Sequence, residues 1–142
     1  MWVGLTISVC FVRMGSIGGR YEQGRCPSTD YRQMTVQQRE SAISQIVQRL
    51  RVGYQPERII LFGSFVEGNP DSGSDVDLLI VKQTTDRFID RWTTVRRILS
   101  DSTRRFGLDT IVLNPDEIRI RLANGDQFLE HILHHGRVLY EA

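Results

Sequence analysis

The 142 residues carry 18 Lys and Arg against 17 Asp and Glu, a formal net charge of +1, with 40% hydrophobic and 25% charged residues. That suits one globular domain with a sizeable core. A chain built for long runs of phosphate-backbone contacts would be more basic, so nucleic acid is not favoured as a partner, and no apolar run approaches the length of a membrane span.

Residues 1–33 read differently from the rest. Trp2 to Val12 is mostly apolar, then Gly15, Gly18, Gly19 and Gly24 break any pattern. No basic residue precedes the apolar stretch, which makes a poor signal peptide. This segment is expected to be a poorly ordered extension, with an extra strand or a true start at Met34 as alternatives. Residues 34–142 are then the domain. Cys10 and Cys26 form neither a metal-ligand spacing nor a disulfide framework, so a reducing cytoplasm is the expected compartment.

Thr35 to Arg51 reads as an amphipathic helix with Val36, Ile43, Ile46, Val47 and Leu50 on one face. Thr35 and Gln38 match a capping box, and Gly53 and Pro56 are the stop signals. Arg58 to Phe62 is a buried strand running into Gly63-Ser64. One helical turn is expected over 64–68, a loop over 69–74, and a second, central strand over Asp75 to Val81.

Side chains alternate across a strand, so Asp75 and Asp77 share a face. Two carboxylates held together repel, and a hard divalent cation such as Mg²⁺ resolves that repulsion with oxygen ligands. Gly63 permits a tight turn, and Ser64 opens a turn whose free N–H groups suit a phosphate. Phosphate donors beside metal carboxylates suggest a site for a nucleoside triphosphate and Mg²⁺.

Asp86 to Phe106 reads as the longest helix, capped by Thr84 or Thr85 and ended by Gly107. Phe88, Ile89, Trp92, Val95, Ile98, Leu99 and Phe106 form its core stripe. Arg87, Arg91, Arg96, Arg97, Arg104 and Arg105 form its polar side, a solvated face or a dock for an acidic partner or nucleotide phosphates. Leu108 to Leu113 is a third strand opened by Asp109. Asn114-Pro115-Asp116-Glu117 opens another helix. Asp126 to His135 is the last helix, with Phe128, Leu129, Ile132 and Leu133 inward and Gly136 ending it. Val138 to Tyr140 adds an edge strand or packs as a tail. His131, His134 and His135 read as helix-end residues near the negative dipole end in preference to metal ligands. The element order implies an α/β (α+β) fold with a mixed sheet, because the 64–74 connection is too short for a crossover helix.

Gly63-Ser64, ten residues, then Asp75-Val76-Asp77 resembles the signature of the nucleotidyltransferase superfamily typified by DNA polymerase beta. The short chain and spacing most resemble its minimal members, many of them antitoxin partners of HEPN-domain toxins. The resemblance implies a small mixed-sheet palm flanked by helices, two Mg²⁺ ions, and ATP as substrate. It implies that Asp75, Asp77 and Asp109 are metal-binding and catalytic, Asp109 also helping to deprotonate the attacking hydroxyl. Glu67, Asp71 and Glu117 are weaker alternates for the third carboxylate. Gly63 and Ser64 would hold the β- and γ-phosphates, with Ser74 and Gly73 shaping the approach. The implied reaction is AMP transfer to a tyrosine of a HEPN toxin, since larger relatives carry an acceptor-shaping domain for which this length leaves no room. Two alternatives stand beside it: a non-catalytic antitoxin acting by contact, and a small-molecule nucleotidyltransferase of the aminoglycoside type.

Overall fold

A computed structural model of the protein describes residues 35–68, 75–100 and 107–142. The expected amino-terminal extension, Asp71, Gly73, Ser74, Arg104, Arg105 and Phe106 lie outside the described residues. The elements run α1 (Val36–Gly53), β1 (Arg58–Phe62), a single 3₁₀ turn (Gly63–Phe65), β2 (Val76–Val81), α2 (Phe88–Ile98), β3 (Leu108–Leu113), α3 (Pro115–Ala123), α4 (Gln127–His135) and β4 (Arg137–Glu141).

The four strands form one mixed sheet in the order β3-β2-β1-β4. β1 pairs antiparallel with β2 on one side and β4 on the other, and β2 pairs parallel with β3. The expected edge strand therefore exists, and β2 is central. Both faces of the sheet are covered. On one, Ile43, Ile46 and Leu50 of α1 and Val95 of α2 pack with Leu99 on Ile59, Leu61, Leu78, Ile80 and Val112. On the other, Leu129 and Ile132 of α4 meet Ile60, Leu79, Val81 and Leu113. This two-sided burial explains why β2 is apolar at nearly every position.

Local chemistry sets the element ends. Thr35 accepts from the Gln38 N–H at 3.3 Å and the Gln38 side chain accepts from Thr35 at 2.9 Å. Asn114 and Glu117 repeat that reciprocal cap with Pro115 in the first turn. α1 runs through Gly53 and stops two residues later, where Gln55 turns left-handed (φ 55°) and donates to the Leu50 carbonyl at 2.9 Å. Pro56 then prevents resumption.

Four core assignments are corrected. Val36 is 74% exposed, because it lies in the first turn, ahead of the buried positions Ile43, Ile46 and Leu50. Phe88 and Ile89, at the start of α2, are 54% and 51% exposed, and Phe128 is 56% exposed. α2 begins at Phe88 with Arg87 as an N-cap that offers no side-chain bond, while Thr84 caps the Asp86 N–H locally. Its buried line is Arg91-Val95-Leu99, four residues apart, which rotates the expected stripe.

Arg91 is the reason for that rotation. Its side chain is 2% exposed and grips Glu117 with both terminal nitrogens, at 2.7 and 2.6 Å, while Nη1 also reaches the Val112 carbonyl at 3.5 Å. One guanidinium thus joins α2, the end of β3 and the cap of α3. The bidentate bond holds the Glu117 carboxyl below its ordinary range and raises Arg91 further. Removing one member of a buried pair typically costs about 3–5 kcal/mol, because the other charge is left without its partner. Glu117 keeps some solvent, so Arg91→Ala is expected to cost about 3 kcal/mol by urea unfolding. A loss under about 1 kcal/mol would show that packing alone holds α2 to α3.

Candidate active site

β1 ends where the Gly- and Ser-rich polar stretch begins, and its register on β2 places Phe62 opposite Asp77. The parallel register of β2 on β3 places Asp77 beside Asp109 and Val76 beside Leu108. Alternation puts Asp77 on the face shared with Leu79 and Val81, the face covered farther along by α4. Asp75 immediately precedes β2 on the same alternation. Three carboxylates, two on neighbouring strands and one just ahead of β2, therefore gather at one end of the sheet.

Two glycines make room for them. Gly63 is left-handed (φ 75°), and a Cβ there would fall 2.4 Å from Asp77 Oδ2. A Cβ on Gly107 would fall 1.7 Å from Asp75 Oδ1. Each carboxylate occupies the space that a side chain would fill; Gly63 is further required by its left-handed backbone, while a side chain at Gly107 would turn the Asp75 carboxylate away. Gly63 also starts a 3₁₀ turn over Gly63–Phe65, shorter and one residue earlier than the helical turn expected over 64–68: its carbonyl accepts from the Val66 and Glu67 N–H groups at 2.9 and 3.2 Å.

Burial, then the charges of Asp109 and Asp75, push the Asp77 carboxyl up to about 6. Among the described residues, no three acidic or imidazole side chains are drawn together closely enough to cage an ion. The donor set nevertheless fits Mg²⁺. That ion prefers oxygen, keeps several waters, and takes only one or two carboxylates alongside substrate phosphates. It would also relieve the repulsion that Asp77 experiences.

The weaker carboxylates are placed elsewhere. Glu117 is committed to Arg91, and Glu67 lies 3.4 Å from His131 Nε2. His131 stacks on His135, centroids 4.4 Å apart, in the last turns of α4. What sequence reasoning missed is the wall facing the aspartates. A cavity of about 360 Å³ is lined by Asp77, Asp109, Thr110 and Ile111, and by Phe62, Trp92, Arg96 and Phe128. Trp92 and Phe128 read as core because apolar spacing cannot tell a core stripe from a cleft wall.

The Asp77 charge has a measurable sign. Its folded carboxyl titrates near 6, above the ordinary 3.8, so between those values the folded chain holds a proton that the unfolded chain has lost. Metal-free stability should fall as pH rises through about 4 to 6, then level off. Asp77→Asn lacks that loss. In EDTA the variant should match the parent near pH 4 and exceed it by roughly 1–2 kcal/mol at pH 7, a value already reduced for partial solvent exposure. Urea unfolding across pH checks this. Equal stabilities at pH 7 would contradict the crowding of the carboxylates.

A proposed protein adenylyltransferase of Methanocaldococcus jannaschii is 36% identical over 69 residues, 46% of this chain and 47% of its own length. The match thus spans about half the length of that relative. Among solved structures, a proposed nucleotidyltransferase from Sulfolobus solfataricus superposes with a TM-score of 0.52 at 21% identity, covering 71% of this chain and 78% of its own. A toxin–antitoxin structure with AMP-PNP gives 0.49 at 20% identity, covering 71% and 73%. The family model "Polymerase beta, Nucleotidyltransferase" matches residues 43–142. The chain belongs to the polymerase beta nucleotidyltransferase family.

Proposed function

We propose that residues 34–142 form a Mg²⁺-dependent nucleotidyltransferase that moves AMP from ATP to a hydroxyl of a partner protein, a tyrosine of a HEPN-type toxin. The observation that carries the reading is the register that sets Asp77 beside Asp109 at the strand end where Gly63 admits the Asp77 carboxylate. The relative described as a protein adenylyltransferase supports AMP as the transferred group and a protein as acceptor. The antitoxin role rests on the likeness of the Gly63-Ser64 to Asp77 stretch to the minimal nucleotidyltransferases.

Asp75, Asp77 and Asp109 would hold the cation. Bound Mg²⁺ supplies charge neutralisation at the triphosphate and at the attacking and leaving oxygens. Gly63 and Ser64 would hold the β- and γ-phosphates at the turn after β1. The acceptor oxygen attacks the α-phosphorus, its bond to the β-phosphate oxygen breaks, and pyrophosphate leaves. The acceptor proton passes to Asp109. The chain's contribution is mainly positioning and electrostatics, which suits a phosphoryl-type transfer.

Asp75→Asn and Asp77→Asn change charge with almost no change of volume. Each should fold, yet lose AMP transfer from labelled ATP by at least about a thousandfold, equivalent to roughly 4 kcal/mol of transition-state stabilisation. Cells co-expressing either variant with the toxin should lose protection. Full protection by the double Asp75/Asp77 variant would overturn the enzymatic reading and leave neutralisation by contact.

A further inference from the structure

The cavity against Asp77 and Asp109 has a chemistry of its own. Its lining includes neither Gly63 nor Ser64. Its walls are ring surfaces. Phe62 and Phe128 meet edge to face, with centroids 5.9 Å apart at 84°. Arg96 lies 4.7 Å over the Trp92 ring. Among the described residues Arg96 has no carboxylate partner, although Asp77 and Asp109 line the same cavity. Stacking on Trp92 fixes the guanidinium while leaving its N–H groups available.

We infer that this cavity is the acceptor subsite and that it selects a phenolic hydroxyl, with Arg96 binding the oxygen and Phe62, Trp92 and Phe128 enclosing the ring. The inference rests on the nucleotidyltransferase reading above and adds the residues that choose the acceptor. Ring walls favour an aromatic side chain by offset and edge contacts. A cation beside the oxygen favours its charged form as the phenol O–H proton leaves for Asp109 and the oxygen bonds to the α-phosphorus.

The chain has two tryptophans, Trp2 and Trp92, so Trp2→Phe leaves Trp92 as the sole indole reporter. In that background, with Mg²⁺–ATP present, N-acetyltyrosinamide should quench indole fluorescence saturably, and kanamycin should not. Arg96→Ala and Phe128→Ala should each weaken the tyrosine probe at least fivefold, and Arg96→Lys should recover part of the loss. Mg²⁺–ATP affinity by calorimetry should stay within twofold in all three. The inference is overturned by absent quenching, by preference for kanamycin, or by an Arg96→Ala effect confined to Mg²⁺–ATP. A parent protein that fails to bind Mg²⁺–ATP would overturn the nucleotidyltransferase reading itself, and a failure of the tyrosine probe alone would not.

Discussion

Everything at the candidate site depends on crowding like charges at the end of a sheet. Carboxylates left to themselves move apart into water. Here the backbone denies them that choice: β2 and β3 run parallel and in register, so Asp77 and Asp109 are neighbours by hydrogen-bond geometry. Gly63 and Gly107 bring main chain up against Asp77 and Asp75, where a side chain would displace the carboxylates. The folded chain stores an electrostatic cost, visible in the raised Asp77 carboxyl, and a cation with a triphosphate can relieve it. Local strain of this kind is normal where a site is built before its ligand arrives.

That cost must be borne by the remainder of the fold. The sheet is buried on both faces, with Ile59, Leu61, Leu78 and Ile80 on one and Ile60 and Leu79 on the other, all at most 1% exposed. The Arg91–Glu117 pair then fixes α2 against α3 beyond the end of β3. Since α2 also carries Trp92 and Arg96, the pair that closes one end of the domain sets the wall of the cleft at the other.

Much of this was legible because it is local. β1 and β3 fall on the expected residues, since apolar runs bounded by turn signals carry their own limits. The Asn114–Glu117 and Thr35–Gln38 caps form as read, each being a contact between residues three apart. The Gly63-Ser64 to Asp77 spacing pointed to the site because a turn and a strand suffice to bring those groups together. The parts that were not legible depend on distant partners. Nothing near Arg91 in sequence announces Glu117, so it read as one more exposed arginine. Phe128 and Trp92 carry the apolar signature of core residues, and only the position of the sheet end makes them line a cleft.

The two halves of the site differ in how far the chain must travel to make them. Gly63 meets Asp77 within one antiparallel pair, a short loop closure that forms quickly. Asp109 joins only after α2 has crossed to lay β3 parallel to β2, and parallel pairing across a helix is intrinsically slower. A nascent chain therefore holds the Gly63–Asp77 half before the Asp109 half. A partially folded molecule of this kind carries Asp77 without its neighbour, so the full crowding of charge arises only when the last long-range pairing is complete.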